Sequence, residues 1–302
     1  MVIAAVGQIC STASLSHNLE QCVGLISKAA VGGARVLFLP EASDYIAANS
    51  QESLSLAQPE SQSPFVRGIQ AAAKEHRLSV NVGIHVPVSV PVSPTSPGSP
   101  PETVTKLSNR SLWIDPDGTI NHRATYDKLH LFDYGLLRES ATVQSGRRLT
   151  EPFPSPVGRI GSLICFDLRF PEASLALAQP GPGCPWVSSP AEVVLYPSAF
   201  TLRTGVAHWE TLLRARAIET QSWVIAAAQV GRHNAKRSSY GHSIVVDPWG
   251  TVKLELGGVN DEGEAVEGAV GAVGFVDIDL DEVARVREGM PLMRRTDLYP
   301  LS

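Results

Sequence analysis

Cysteine is scarce in this 302-residue chain: Cys10, Cys22, Cys165 and Cys184 stand far apart and form no Cys-x-x-Cys pair. A chain this long builds its core without crosslinks, so free thiols in a reducing compartment are expected. No apolar run approaches the roughly 20 residues that a spanning helix needs. Positive charge is not in excess either. The formal net charge is −5 with both signs interspersed, which excludes the basic face that nucleic acid or an anionic membrane would require. The opening residues Val2-Ile3-Ala4-Ala5-Val6-Gly7-Gln8-Ile9 lack the charged start and long apolar core of a signal peptide and read as a strand. They also lack an Arg-rich presequence, so the expected setting is cytoplasmic, with or without a mitochondrial pool.

Several catalytic signatures are missing as well. Gly241-His242-Ser243 continues into Ile244-Val245, so no Gly-x-Ser-x-Gly elbow exists. The histidines show no His-Glu-x-x-His spacing and the cysteines no paired-ligand spacing, which argues against a metal. Neither Gly-x-Gly-x-x-Gly nor a Gly-x-x-x-x-Gly-Lys phosphate loop occurs. No cofactor is expected.

What is present, 43% hydrophobic and 18% charged residues, suits a globular chain with a sizeable core. Strand-like runs recur at Val36 to Leu39, Leu78 to Val86, Ser108 to Ile114, Thr119 to Tyr126, Ile160 to Cys165, Val193 to Tyr196, Trp223 to Val230, Ser243 to Val246, Thr251 to Leu256 and Val273 to Ile278. Helical periodicity appears over Leu15 to Ala30, with Leu19, Cys22, Val23 and Ile26 on one face, and over His208 to Glu219, with Trp209, Leu212, Leu213 and Ala217. Alternating strands and helices predict a layered α/β fold. The segment I-D-P-D-G-T-I at Ile114 to Ile120 is echoed by V-D-P-W-G-T-V at Val246 to Val252, each a strand, a Pro-Gly turn and a returning strand, which suggests a duplicated sheet unit. Two stretches break the pattern: Pro87 to Pro101, too rich in Pro and Ser to join a ladder, and Gln179 to Pro190. Both read as loop insertions, near 87–103 and 179–190. Strands resume on either side, so residues 1–302 are expected to form one domain.

Three reactive residues end apolar runs: Glu41 in V-L-F-L-P-E-A, Lys128 in T-Y-D-K-L-H-L-F-D and Cys165 in S-L-I-C-F-D-L-R-F-P-E. Singly, each has an ordinary explanation: a helix cap, a solvated rim and a small core residue. Together they suit amide hydrolysis. An amide carbonyl is a poor electrophile, and a thiol attacking it needs a base for its proton and a cation for the oxyanion. A nearby lysine is also expected to lower the thiol pKa.

At these residues the chain resembles the nitrilase-related carbon–nitrogen hydrolases, whose Glu-Lys-Cys triad comes in this order. The resemblance runs from the first strand to R-R-T-D-L-Y near the end. Y-P-S-A-F at Tyr196 to Phe200, A-H-W-E-T-L-L-R-A-R-A-I-E-T-Q at Ala207 to Gln221, A-A-A-Q-V-G-R-H at Ala226 to His233 and K-R-S-S-Y-G-H-S at Lys236 to Ser243 are similar to the deaminated glutathione amidase branch of that superfamily. The resemblance implies a four-layer α-β-β-α sandwich, a homodimer or larger assembly with the tail from Met290 to Ser302 against a partner, and no cofactor.

It also implies roles. Cys165 would be the nucleophile, Glu41 the general base and acid, and Lys128 the oxyanion partner. Glu139, in L-L-R-E-S, would orient Lys128. Phe166 would offer its backbone amide as second oxyanion donor, and Arg169 and Ser198 would lie at the substrate. Gly135-Leu136-Leu137 shortens the segment between Lys128 and Glu139. The implied substrate is a small amide carrying carboxylates. An ω-amidase acting on 2-oxoglutaramate, acyl transfer to an amine, or a catalytically silent scaffold are the alternatives.

Overall fold

Strands buried on both faces read as continuous apolar runs, so a chain rich in such runs must cover each sheet twice. The computed structural model describes residues 2–92, 102–135, 137–295 and 298, and it contains two six-stranded sheets. The first begins with β1 (Val2–Gln8), β2 (Val36–Phe38), β3 (Ser79–Val92), β4 (Glu102–Ile114) and β5 (Tyr126–Asp127). A separate hairpin, β6 (Asp133–Tyr134) with β7 (Leu137–Arg138), follows. The second sheet holds β8 (Phe153–Ser155), β9 (Gly158–Ser162), β10 (Val193–Leu195) and β11 (Trp223–Ala226). Another hairpin, β12 (Val230–Asn234) with β13 (Arg237–Tyr240), intervenes before β14 (Ile244–Val246) and β15 (Val252–Glu255) complete that sheet. Finally β16 (Ala272–Ile278) returns to pair antiparallel with β1.

Among the described residues the helices are α1 (Leu15–Val31), α2 (Ser50–Leu56), α3 (Pro64–His76), α4 (Glu139–Thr142), α5 (Pro171–Ala178), α6 (Leu202–Thr220) and α7 (Leu280–Gly289). Strand alternation assigns the layers. Ala5 and Leu37 face α1 and α3 among Leu25, Ile26, Phe65 and Ile69. Their neighbours Ala4, Val6, Val36 and Phe38 point the other way, into a layer shared with Val193, Leu195, Trp223 and Ile225 of the second sheet. Val194, Val224, Ala226 and Ile244 then face α5 and α6 through Leu177, Trp209 and Leu213. Helix, sheet, sheet, helix is the four-layer α-β-β-α sandwich. Full burial of each such Leu, Ile or Val contributes about 1.5–3 kcal/mol.

The two Pro-Gly echoes have matching geometry. Asp115 N donates to Thr119 O at 2.8 Å and Gly118 N to Asp115 O at 2.8 Å; Asp247 N donates to Thr251 O at 2.9 Å and Gly250 N to Asp247 O at 2.9 Å. Gly118 and Gly250 take φ of +86° and +90°, open to glycine at no steric cost. Each turn follows the same run of three parallel strands and one antiparallel strand: β1, β2, β3 and β4 in one sheet, and β9, β10, β11 and β14 in the other.

Several expectations are corrected. Pro87 to Val92 is not loop: β3 continues to Val92, paired with β4 down to Glu102. Odd-numbered residues of β3 turn their backbone away from β4, as Gly83 N does to Pro40 O and His85 N to Asp44. Pro87 and Pro91 keep that parity, so neither removes a donor from the ladder. The rest of that stretch, 93–101, lies outside the described residues. The expected strand at Thr119 to Tyr126 shrinks to a bridge at Ile120 and to β5, because Asn121 caps a 3₁₀ turn over His122–Ala124. Helix α6 starts at Leu202 rather than near His208, capped by Thr201; its first turns are largely exposed and show no apolar stripe. Residues 179–190 form turns only, pinned where Trp186 donates its indole N–H to Ala176 O. Within the chain, residues 290–295 of the tail lie against Gln179 and Glu219, with Arg294 donating to Gln179 and to Glu219 O, which leaves the expected packing of the tail against a partner as it stood. Residues 296, 297 and 299–302 of that tail lie outside the described set.

Trp113 joins the sheets, 5.1 Å edge-on from the Phe153 ring and 6.3 Å from that of Phe38. Trp113→Ala should lower the unfolding free energy by about 3–5 kcal/mol, read as a lower urea midpoint.

Candidate active site

The first reactive segment leaves β2 at Phe38. Leu39 N donates to Asn81 O, and Gly83 of β3 then exchanges hydrogen bonds with Pro40 O and Ser43 N. A Cβ on Gly83 would stand 2.6 Å from Glu41 Cα and 2.6 Å from Pro40 O, so glycine alone lets the strand pass under Glu41. Ala42, next in the chain, takes the left-handed φ of 55°. Lys128 directly follows β5 and is held by backbone bonds from its N–H to Asn109 O and from Gly146 N to its carbonyl. Cys165 follows β9, its N–H donated to Pro197 O at 3.0 Å, and opens a 3₁₀ turn over Cys165–Arg169 with φ of 47°. Left-handed backbone at a non-glycine residue costs about 1–3 kcal/mol and aims the side chain where relaxed backbone would not.

These strand ends bring the predicted triad together, with Glu41, Lys128 and Cys165 only 5%, 2% and 8% exposed. Lys128 Nζ lies 2.9 Å from Glu41 Oε1 and 3.1 and 3.0 Å from the two oxygens of Glu139. Glu41 Oε2 accepts from Ala199 N at 2.8 Å. Glu139 also accepts from Phe132 N at 2.7 Å, which holds it beside the lysine.

Burial alone would raise the Glu41 carboxyl, but the Lys128 ammonium, with Asn109, more than offsets it and holds the carboxyl below the usual range. For Lys128, burial works against the charge while Glu139 and Glu41 outweigh it, leaving the ammonium well above its ordinary pKa. Cys165 differs from expectation. Burial, reinforced by the Glu41 charge, pushes the thiol well up, and the lowering by Lys128 is outweighed. The resting site therefore pairs a protonated thiol with an ionised carboxylate.

The remaining expected residues divide. Phe166, beside Cys165, is half-buried, its ring edge-on to Phe132 at 5.1 Å and to Phe170 at 5.6 Å. Arg169 pairs with neither Asp167 nor Glu172; it donates Nη2–H to His208 Nδ1 at 2.9 Å and lies 6.0 Å over the Phe200 ring. Ser198 is fully buried, its hydroxyl donated to Tyr196 O, so it shapes the backbone beside Ala199 and presents no open donor.

Three residues escaped the sequence reading. Asn109 donates to Glu41 at 2.7 Å and to Glu139 at 3.1 Å, tying both carboxylates to β4. Gln229 donates to the carbonyls of Glu41 and Ala42. Asp167, fully buried, accepts from Ile164 N, His130 N, His130 Nδ1 and the Tyr126 hydroxyl. Because Tyr126 and His130 flank Lys128, this one carboxylate clamps the lysine segment to the cysteine turn. Each is a polar residue inside or beside an apolar run, and that was the available signal. Among the described residues no His, Cys, Asp and Glu group could hold a metal. A cavity of about 630 Å³ lined by Val88, Arg110, His122 and Arg147 contains no triad residue.

Gly83→Ala should lower kcat by about 10²-fold while the chain stays folded by circular dichroism, because the added methyl displaces the Glu41 backbone. Equal losses of activity and folded fraction would contradict this.

The sequence model of the carbon–nitrogen hydrolase family matches residues 3–288. A Schizosaccharomyces pombe protein named probable hydrolase nit2 is 43% identical over 99% of both chains. The human deaminated glutathione amidase is 40% identical over 98% of this chain and 83% of that protein. The crystal structure of the Caenorhabditis elegans NitFhit protein superposes with a TM-score of 0.81 at 38% identity, covering 99% of this chain and 66% of that one. With the buried Glu-Lys-Cys cluster between two sheets, these matches make the chain a member of the carbon–nitrogen hydrolase family.

Proposed function

We propose that the protein hydrolyses deaminated glutathione to 2-oxoglutarate and cysteinylglycine through a thioester on Cys165. The observation that carries the chemistry is a buried ammonium held between two carboxylates beside a buried cysteine thiol. Relatives at about 40% identity named for that substrate support its choice.

Glu41 takes the Sγ proton as sulfur bonds to the amide carbon, and the carbonyl electron pair moves onto oxygen. Neutralising Glu41 weakens its hold on Lys128, which frees an Nζ–H for that oxyanion, while Glu139 keeps the ammonium charged. The Phe166 backbone N–H is the second donor. When the tetrahedral intermediate collapses, the C–N bond breaks and Glu41 gives its proton to the departing amine. Water then attacks the thioester, Glu41 takes a water proton, and collapse returns the thiol and the acid.

Arg169 is the proposed receptor for substrate carboxylate, since a guanidinium can bind one with two hydrogen bonds. A cytoplasmic setting belongs to the same proposal, as does a homodimer or larger homo-oligomer, which the family resemblance implies. No helix among the described residues is long and apolar enough to cross a membrane. The aligned Glu41, Lys128 and Cys165 disfavour a silent scaffold, because binding alone requires no such set.

Release of 2-oxoglutarate should be faster from deaminated glutathione than from 2-oxoglutaramate and should vanish in Cys165→Ala. The opposite preference would make the protein an ω-amidase. Glu41→Gln should slow iodoacetamide labelling of Cys165 by about 10²-fold or more. Since Glu41 must be ionised to act as base and Lys128 offsets the effect of its burial, kcat/KM should hold steady as pH falls from about 7 to about 5. It should decline only below the usual glutamate range, near 4.3.

A further inference from the structure

We propose that His208 sets substrate choice by holding Arg169 in position to bind the carboxylate on the acyl half of the substrate; this rests on the amidase reading above. The two residues come from different elements: Arg169 ends the 3₁₀ turn that Cys165 begins, and His208 lies on α6. Arg169 Nη2–H donates to His208 Nδ1 at 2.9 Å. A guanidinium is always a donor, so Nδ1 must supply a lone pair, and the imidazole is neutral with its proton on Nε2.

That contact leaves the arginine charged, aimed and unneutralised. Among the described residues it has no carboxylate partner, and of its five N–H donors one is taken up, by His208. Burial already disfavours its charge, and the Phe200 ring backs it at 6.0 Å. A partly desolvated cation without a counterion is relieved by an anionic ligand. A neutral acceptor can hold the guanidinium still without competing for that ligand, which an aspartate in place of His208 would do. The nucleophile and Arg169 share a single 3₁₀ turn, so the anion that reaches Arg169 is the one on the acyl chain carried by Cys165. That chain persists through both half-reactions, whereas the cysteinylglycine half departs after the first. His208 is thus a positioning residue for specificity and not a catalytic residue.

The test measures kcat and KM for deaminated glutathione in His208→Ala and His208→Asn, alongside calorimetric binding of 2-oxoglutarate to Cys165→Ala protein carrying each change. Asparagine places Oδ1 one bond from Cγ, as histidine places Nδ1, and so keeps the acceptor. His208→Ala should raise KM and the 2-oxoglutarate Kd by about 10-fold with kcat within about twofold, as expected for loss of a charge-assisted hydrogen bond. His208→Asn should recover most of both. The KM loss should shrink for an amide that lacks the acyl-side carboxylate, and cysteinylglycine binding should not respond. Unchanged 2-oxoglutarate binding in His208→Ala, no recovery in His208→Asn, or a fall confined to kcat would overturn the inference. Binding that depends on His208 in a protein inactive toward deaminated glutathione would overturn only the substrate reading.

Discussion

A buried ammonium organises this protein. Taking Lys128 and its partners out of water costs several kcal/mol per ion, a penalty met only by close pairing and further hydrogen bonds. Glu41 and Glu139 supply the pairing, and Asn109, Ala199 N and Phe132 N occupy further carboxylate lone pairs. These partners come from β4, from the loop after β10 and from the lysine's own segment, so the cluster forms only when both sheets have closed on each other. The inter-sheet layer of Val6, Phe38, Trp113, Leu195 and Trp223 is therefore also the mount of the site.

Local strain follows from the same closure. Ala42 and Cys165 both hold left-handed backbone beside the cluster, and Gly83 admits the approach that brings Glu41 over β3. Asp167 then sets the spacing between the lysine segment and the cysteine turn through four hydrogen bonds. The outcome is a thiol pushed toward its protonated form by burial, next to a carboxylate that Lys128 holds toward its ionised form. Such an arrangement limits side reactions of a free thiolate, whose nucleophilicity depends on its charged form.

Beyond the triad the site becomes aromatic and cationic. Phe132, Phe166 and Phe170 meet edge to face, and His130 stacks on Phe170 at 3.6 Å. Arg169 stands on the Phe200 side of the cysteine turn, where its partner among the described residues is His208 and not a carboxylate. Chemistry and recognition thus share the cysteine turn, reaction at its first residue and recognition at its last.

The sequence by itself determined the classes of side chain, their order and the layered α/β pattern. Double-faced apolar runs, the paired Pro-Gly turns and the carboxylate, ammonium and thiol at strand ends were all visible, because periodicity and turn chemistry are local. Pro87 and Pro91 misled for the same reason: whether a proline breaks a ladder depends on which neighbour its missing N–H would have faced. Asn109, Asp167, Gln229 and His208 were not legible, since a polar residue in an apolar run shows its partner only when segments far apart in the chain meet. The thiol's raised pKa belongs there too, because burial and the Glu41 charge, not the nearest residues in sequence, decide the energy of its proton.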